Sequence, residues 1–225
     1  MPLITFEGSE GCGKSTQVQR LALRLKDHSI STAVFREPGS TLIGEAIRHL
    51  LQHSRENEEM TPETELLLFA ASRSQLVREK VQPALARGEF VICDRFFDST
   101  NVYQGAARGL DPVLVKTLNA FVVADCLPDL TFVLDIDRPT ARARIGDREM
   151  RDRMEDAPEE FHARVIAAYR ELAQREWKRI VLLDGRKAIG AIEEEIWQTL
   201  SARFPRLADA QSEINATPAR TSVKS

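Results

Sequence analysis

A glycine-rich segment near the amino terminus constrains the fold more than any other feature of the sequence. Residues Gly8 to Ser15 read GSEGCGKS, which fits the pattern G-x4-G-K-[ST]. The apolar, β-rich run Leu3 to Phe6 precedes this segment, and a helical stretch from about Ser15 to Lys26 follows it. Between a strand and a helix, the backbone N–H groups of such a loop surround phosphate oxygens. The segment therefore predicts a nucleoside triphosphate site, with a glycine-rich turn that binds nothing as the alternative.

Two side chains of this loop have predicted roles in phosphate chemistry. Lys14 is expected to place its ammonium on the phosphate oxygens, and the Ser15 hydroxyl is expected to be a ligand of Mg²⁺. Cys12 is interpreted as a small filler residue, with an oxidisable thiol as the alternative. The residues predicted to contact the triphosphate are Gly8, Ser9, Glu10, Gly11, Cys12, Gly13, Lys14, Ser15 and Thr16.

Short apolar runs alternate with longer amphipathic segments along the whole chain. Five such runs, separated by helix-length segments, predict an α/β fold with a five-stranded parallel sheet and helices on both faces, a three-layer αβα arrangement. Thr61-Pro62 and Asp111-Pro112 are typical helix starts. The later strands are expected at Thr32 to Phe35, Phe90 to Cys93, Leu130 to Leu134 and Ile180 to Leu183. Helices are expected at 42–51, from Pro62 toward Arg87, at 111–124, after Pro158 and at 191–202.

Composition restricts the compartment and the partners of the chain. Its 225 residues include 31 basic and 34 acidic side chains, a balance that gives no overall attraction for nucleic acid or anionic lipid. No run is long enough to span a membrane and no secretory leader is visible, so a cytoplasmic protein is expected. The three cysteines lack the spacing of a disulfide framework or a zinc site.

Two segments interrupt the alternating pattern. Residues 138–153 hold six arginines and three acids around Gly146, which predicts a mobile charged loop. Residues 206–225 are small and polar and are expected to form a disordered tail, with a docking peptide as the alternative. The folded domain is therefore expected to cover residues 1–205.

The phosphate loop alone does not identify the reaction. No Lys is followed two residues later by Asp, as the guanine-reading motif of a GTPase requires, and no strand ends in Asp-Glu, as in motor ATPases. The third strand instead ends in Cys93-Asp94-Arg95. An acid followed by an arginine suits an enzyme whose second substrate supplies the nucleophile and carries negative charge.

Several motifs, in order along the chain, together resemble those of bacterial thymidylate kinases. They are the acidic phosphate loop, the segments 36–41 (REPGST) and 94–100 (DRFFDST), the pair Phe69 and Arg73, Tyr103-Gln104-Gly105, and an arginine-rich lid at about 142–156. The resemblance extends from Ile4 to about Leu200. It implies transfer of the γ-phosphoryl group of ATP to dTMP, with Mg²⁺, in a homodimer. Ser40 departs from the family, which commonly has glycine there.

The chemistry of the acceptor site agrees with this resemblance. Arg95 follows a parallel strand, where a bidentate cation can bind a monophosphate. Phe69 and Arg73 share a helix face and could stack on a pyrimidine and donate to its carbonyl oxygen; a core Phe and a surface Arg are the alternative. The resemblance implies a dTMP site formed by Glu10, Arg36, Pro38, Phe69, Arg73, Arg95, Ser99, Thr100, Tyr103 and Gln104.

The resemblance also implies the catalytic and adenine-binding residues. Because the phosphate loop has no cation among Ser9 to Cys12, the arginine that stabilises the transferring group is expected from the lid; a solvated charge run is the alternative. Asp94 is expected at the catalytic centre and near the metal, or else as a helix cap. The predicted catalytic residues are Lys14, Asp94, Arg95, Arg148 and Arg153, with Arg151 less favoured; Ser15 and Asp94 are the metal candidates, and Arg144 and Asp184 the adenine-site candidates.

Three alternatives stay open at this point. The chain could phosphorylate another nucleoside monophosphate or a deoxynucleoside, or it could bind nucleotides without catalysis. The apolar stripe of helix 111–124 fits a dimer interface and core packing equally well.

Overall fold

A computed structural model describes residues 1–52, 59–146, 153–205 and 207. Five strands form one parallel sheet in the order β2-β3-β1-β4-β5, which confirms the predicted fold class. The strands are β1 (Leu3–Glu7), β2 (Thr32–Arg36), β3 (Phe90–Asp94), β4 (Leu130–Asp135) and β5 (Ile180–Asp184).

The register of the central strand decides which loops meet. In β1, Phe6 lies opposite Asp94 of β3 and opposite Phe132 of β4. After β3 the chain crosses to the far side of β1, so the loops that follow β1 and β3 border a crevice at the carboxyl edge of the sheet. The phosphate loop and the segment that begins at Asp94 therefore lie next to each other.

Helices connect the strands and follow the predicted starts closely. Thr61 accepts a hydrogen bond from the Thr64 N–H and Asp111 accepts one from the Val113 N–H, so both act as N-caps. No helix in the described ranges has the length and apolarity needed to cross a bilayer. The helices are α1 (Lys14–Asp27), α2 (Leu42–Gln52), α3 (Pro62–Leu76), α4 (Gln82–Ala86), α5 (Phe97–Thr100), α6 (Pro112–Val123), α7 (Arg138–Ile145), α8 (Glu159–Arg175) and α9 (Ile189–Arg203).

Both faces of the sheet are covered by apolar side chains. Ile4 and Phe6 point to one face, where they pack with α1 and α9, and Leu3 points to the other, where it packs with the end of α3. Val133 of β4 contributes to a third cluster with α8. This is the three-layer arrangement expected from the sequence.

Two predicted elements are corrected by the structure. The helix expected from Pro62 to Arg87 is α3 followed by a π-helical turn, Val77–Val81, and the short α4. The loop expected from Arg138 begins instead as helix α7, because Asp137 caps the Thr140 N–H at 2.8 Å and Ala141 is buried against the core. The rest of the expected lid falls mainly on residues 147–152, and the expected tail on 206–225; apart from residue 207, both lie outside the described residues.

A buried ion pair connects the segment after β3 to β5. Asp98 is fully buried, and its carboxylate accepts two hydrogen bonds from the Arg179 guanidinium, at 2.7 and 3.1 Å. Arg179 also donates to the Thr131 hydroxyl, which is 2.7 Å from the hydroxyl of Thr5. These bonds cross from the last strand toward the middle of the sheet and fix α5 against it.

We expect the Asp98→Ala substitution to lower the free energy of unfolding by about 3–5 kcal/mol, because it leaves the Arg179 guanidinium largely buried without its counter-charge. Urea unfolding followed by circular dichroism would measure the loss. Asp125→Ala, at an exposed position, is the matched control and should stay within about 0.5 kcal/mol of the parent. Equal stability of the two variants would contradict a structural role for the pair.

Candidate active site

A cleft of about 250 Å³ lies at the carboxyl edge of the sheet, above β1, β2 and β3. Parallel sheets bind ligands at this edge, where the chain reverses its direction of winding. Most of the residues predicted for the acceptor and phosphate sites line this single cleft. They are Glu10, Gly11, Lys14, Ser15, Arg36, Pro38, Phe69, Asp94, Arg95, Ser99, Thr100, Tyr103 and Gln104.

The phosphate loop has the backbone form that its glycines permit. Gly8 and Gly13 have φ angles of +136° and +98°, and a Cβ on Gly8 would lie 2.5 Å from the carbonyl oxygen of Leu134. Lys14 is 7% exposed, and its ammonium donates to the carbonyl oxygens of Ser9 at 2.8 Å and Gly8 at 3.1 Å. The ammonium therefore lies at the loop, where it can exchange these carbonyl oxygens for phosphate oxygens.

The side chains of Ser15, at the start of α1, and Asp94, at the end of β3, are in contact. The Ser15 hydroxyl donates to Oδ2 of Asp94 at 2.5 Å, across 79 residues of sequence. Hydroxyl and carboxylate oxygens are the hard ligands that Mg²⁺ prefers. No group of three or more His, Cys, Asp and Glu side chains able to hold a metal occurs in the described part of the chain. The Ser15 hydroxyl and the Asp94 carboxylate are the described groups of this cleft whose oxygens suit such an ion.

Arg95 connects the phosphate loop to the acceptor side of the cleft. Its guanidinium donates to the Gly8 carbonyl oxygen at 2.9 Å, to Glu10 at 3.0 Å and to the Ser99 hydroxyl at 3.2 Å. Its φ angle of +69° is in the left-handed region, which a non-glycine residue adopts only when its surroundings impose it. Such strain is typical of a functional position.

Beneath these residues, Glu7 is a fully buried acid at the end of β1. Its carboxylate accepts hydrogen bonds from the Ser99 hydroxyl at 2.6 Å, from the Phe96 N–H at 2.8 Å and from the Tyr169 hydroxyl at 2.9 Å. Burial and the nearby charge of Asp98 raise the pKa of Glu7. This carboxylate fixes the start of the segment that carries Arg95 and Ser99.

Glu10 and Tyr103 form a close polar pair on the same wall. The Tyr103 hydroxyl donates to Oε1 of Glu10 at 2.6 Å, and the other carboxylate oxygen of Glu10 has no hydrogen-bond partner in the described residues. Burial alone would raise the pKa of Glu10, but the charges of Arg95 and Lys14 and the tyrosine hydrogen bond outweigh it and lower the pKa. An ionised acid with one free oxygen can accept a hydrogen bond from a ligand hydroxyl.

The outer wall of the cleft comes from the loop after β2. Arg36 forms a two-point ion pair with Glu45 at 2.8 and 3.0 Å, and Arg48 donates to the Pro38 carbonyl oxygen at 3.0 Å. Both arginines line the cleft, together with Phe69 of α3. Two further arginines from the β2 side therefore line the cleft together with Arg95.

Arg73, predicted to contact dTMP with a surface arginine as the alternative, is buried and is not among the residues that line the cleft. It is 1% exposed and lies behind the cleft wall, where its guanidinium donates to Glu37 at 2.7 Å, to the Thr100 hydroxyl at 2.9 Å and to Asn119 at 3.1 Å. Burial raises the pKa of Glu37 to about 7, against the opposing effect of the Arg73 charge. The surface arginine considered as the alternative for Arg73 is therefore wrong.

The two predicted adenine-site residues lie outside the cleft, near the phosphate loop. Arg144, at the end of α7, donates to the Gly185 carbonyl oxygen at 2.8 Å, so the structure brings it to the turn after Asp184. The Asp184 carboxylate pairs with Arg186, which holds the pKa of this acid at about 2. A Cβ on Gly185 would lie 3.3 Å from the Cys12 carbonyl oxygen, so this turn touches the phosphate loop.

Of the two favoured lid arginines, the structure describes one. The Arg153 guanidinium donates to the carboxylate of Glu65 in α3, and Arg108 donates to the same carboxylate at 3.0 Å. Arg148 lies outside the described residues. The role of a lid arginine in catalysis therefore stays a prediction.

Comparison with known proteins assigns the family. The sequence matches the family profile described as thymidylate kinase over residues 6–196. The chain belongs to the thymidylate kinase family. It is 44% identical to the thymidylate kinase of Chlorobium luteolum, over 90% of this chain and 98% of that one, and 42% identical to that of Deinococcus radiodurans, over 89% and 96%.

A solved structure agrees with the sequence relatives. The thymidylate kinase of Ehrlichia chaffeensis superposes with a TM-score of 0.73 and 32% identity, covering 89% of this chain and 98% of that one. As a member of this family, the chain is an ATP-dependent phosphotransferase and not a silent nucleotide-binding protein.

Sequence reasoning missed several residues of the cleft. Glu37 and Arg48 line it, and Glu65 holds Gln104 from behind, yet none was among the predicted site residues. Arg48 could have been found from its position on α2, about two turns after the loop that follows Arg36 and carries Pro38. Glu65 carried only a weak signal, an acid directly before the apolar run Leu66 to Ala70.

Proposed function

We propose that this member of the thymidylate kinase family transfers the γ-phosphoryl group of ATP to the phosphate of dTMP, giving ADP and dTDP. The observation that carries the proposal is that groups for both substrates line one cleft. Lys14 and Ser15 occupy its donor side, and Arg95, Phe69 and Gln104 occupy its acceptor side. Phosphoryl transfer between two bound anions needs mainly positioning and charge neutralisation, and the cleft supplies both.

On the acceptor side, each proposed contact follows from the chemistry of a side chain. Arg95 and Arg36 bind the dTMP phosphate, and Phe69 stacks on the base. Tyr103 and Glu10 face the sugar, where the free oxygen of Glu10 accepts from the 3′-hydroxyl. Arg73 does not line the cleft but positions the Thr100 hydroxyl, to which it donates a hydrogen bond. Pro38 and Ser99 complete the proposed dTMP site.

On the donor side, the phosphate loop surrounds the triphosphate, and Arg144 with the turn at Asp184 binds adenine. The Ser15 hydroxyl and the Asp94 carboxylate are the groups that would hold Mg²⁺, directly or through water. When bound, the ion neutralises charge on the transferring phosphoryl group. Lys14 binds oxygens of the transferring phosphoryl group. Arg148 and Arg153 are the proposed sources of the remaining positive charge.

We expect ADP formation with Mg·ATP to be fastest with dTMP, slower with dUMP, and negligible with dCMP, dGMP, AMP, thymidine or no acceptor. Excess EDTA should abolish turnover. A coupled assay of ADP release measures the rate with each acceptor. In the same assay, a chain truncated after residue 205 should give the rates of the full chain if the domain ends there. A different preferred acceptor would overturn the base assignment, and equal ADP formation without acceptor would overturn the kinase assignment.

The lid arginines can be separated by kinetics. We expect Arg148→Ala to lower kcat by about 10³ with little change in the KM for dTMP, because a transition-state contact is lost. Arg153→Ala should lower kcat and also raise that KM, because it additionally removes a partner of Glu65. Arg138→Ala is the matched control from the same segment. If Arg153→Ala reduces turnover no more than Arg138→Ala does, Arg153 has no catalytic role.

We also propose that the protein is a homodimer built on α3 and α6. Phe121, Leu114 and Val113 of α6 are 72%, 54% and 70% exposed, and Leu67 of the adjacent α3 is 59% exposed. Four large apolar side chains on neighbouring helices are costly in water and suit a second copy of the same surface.

We expect Phe121→Asp to shift the protein from dimer to monomer in sedimentation velocity, since a charge would be buried in the contact. Leu23→Asp, at an equally exposed apolar position on α1, should leave the mass unchanged. A monomeric parent protein would contradict the proposal.

We place the enzyme in the cytoplasm, free of nucleic acid and membranes; recovery with the membrane fraction of cells would contradict this.

A further inference from the structure

Glu65 of α3 is a fully buried acid that does not itself line the cleft. Its carboxylate accepts hydrogen bonds from three side chains on separate segments. The Gln104 amide donates to Oε1 at 2.7 Å, Arg108 donates to both oxygens at 3.3 and 3.0 Å, and Arg153 donates to Oε2. A carboxylate with this many donors is held in one orientation.

The contact with Gln104 decides which end of that amide faces the cleft. A carboxylate flanked by two guanidinium groups can only accept hydrogen bonds, so the amide must turn its NH₂ toward Glu65. Gln104 lines the cleft beside Tyr103, and its Oε1 accepts no hydrogen bond from the described residues. The cleft therefore receives the carbonyl end of the amide.

A carbonyl oxygen in a fixed position distinguishes pyrimidines by the group at N3, because it can accept a hydrogen bond only from N3–H. Thymine and uracil carry a donor, N3–H, whereas N3 of cytosine is an acceptor and would face the carbonyl oxygen as an unpaired group. Such a mismatch in a buried site is penalised more heavily than a missing methyl group. The orientation of the amide thus favours keto pyrimidines.

We propose that Glu65 is a positioning residue that sets the preference for thymine over cytosine by holding the Gln104 amide with its carbonyl oxygen toward the base. This rests on the proposed function, since it concerns the acceptor of that reaction. Arg108 serves the same arrangement because its guanidinium pairs with Glu65 through both carboxylate oxygens, and Arg153 also donates to Oε2 in this structure. A purely structural ion cluster would stabilise the fold without any effect on base choice.

The Glu65→Gln substitution reverses the predicted hydrogen bond. Oε2 has the shorter of the two Arg108 contacts and, of the two carboxylate oxygens, the only Arg153 contact among the described residues, so the carbonyl oxygen of the new side chain takes the place of Oε2 and its NH₂ faces Gln104. Gln104 must then turn its own oxygen toward residue 65 and its NH₂ toward the base. That NH₂ can donate to N3 of cytosine.

We expect Glu65→Gln to lower the ratio of kcat/KM for dTMP to kcat/KM for dCMP at least tenfold. The ratio of dTMP to dUMP should stay unchanged, because both bases carry N3–H, and the KM for ATP should also stay unchanged. General damage to the site would move all of these values together. Glu63→Gln, at an exposed position two residues earlier on α3, is the matched control and should alter none of them.

A second variant keeps the proposal testable if Glu65→Gln fails to fold. Gln104→Met retains the shape of the side chain but has no amide, so it should lower the thymine-to-cytosine ratio to a similar value, and the double variant should lower it no further. An unchanged ratio in a folded Glu65→Gln protein, or in Gln104→Met, would overturn the proposal. Absence of dTMP phosphorylation in the parent protein would instead overturn the proposed function.

Discussion

The guanidinium of Arg95 holds the two halves of the site in one arrangement. It donates to the Gly8 carbonyl oxygen in the phosphate loop, to Glu10 within the same loop, and to Ser99 on the acceptor side. A planar group with several donors can make all of these contacts at once, which the compact ammonium of lysine cannot. Because Phe6 and Asp94 are paired in adjacent parallel strands, the register of the sheet brings this guanidinium to the loop.

The burial of so many charges is possible because each acid below the cleft has several donors. Glu7 accepts from two hydroxyl groups and two backbone N–H groups, and Glu65 accepts from an amide and two guanidinium groups. Buried ion clusters of this kind contribute little net stability, since the desolvation of each charge offsets the attraction. Their effect is to fix directions: each donor has one orientation in which its hydrogen bond is made.

The fold could be predicted from the sequence because its signals are local and repeated. The strand positions followed from short apolar runs, and the N-caps Thr61 and Asp111 from residues next to proline. The start of α7 was missed because six arginines in a short segment indicated a solvated loop, whereas the cap at Asp137 and the burial of Ala141 outweighed that charge. Contacts between distant segments, such as Arg73 with Glu37, leave no periodic signal in one sequence. The same applies to Glu65, whose partners are 39 to 88 residues away.

The π-helical segment Asn101–Ala107 contains both residues that are proposed to read the sugar and the base. With hydrogen bonds to the fifth residue along the chain, a π-helix accommodates an extra residue in each turn, so neighbouring side chains diverge less than in an α-helix. Tyr103 and Gln104 are consecutive and yet line the same cleft, reaching Glu10 and Glu65 respectively. The number of residues in this segment thus matters as much as their identity. Loss or gain of a single residue before Tyr103 would turn both side chains together, away from Glu10 and Glu65, so the choice of nucleotide in this fold can change through the length of this segment while both side chains stay in the sequence.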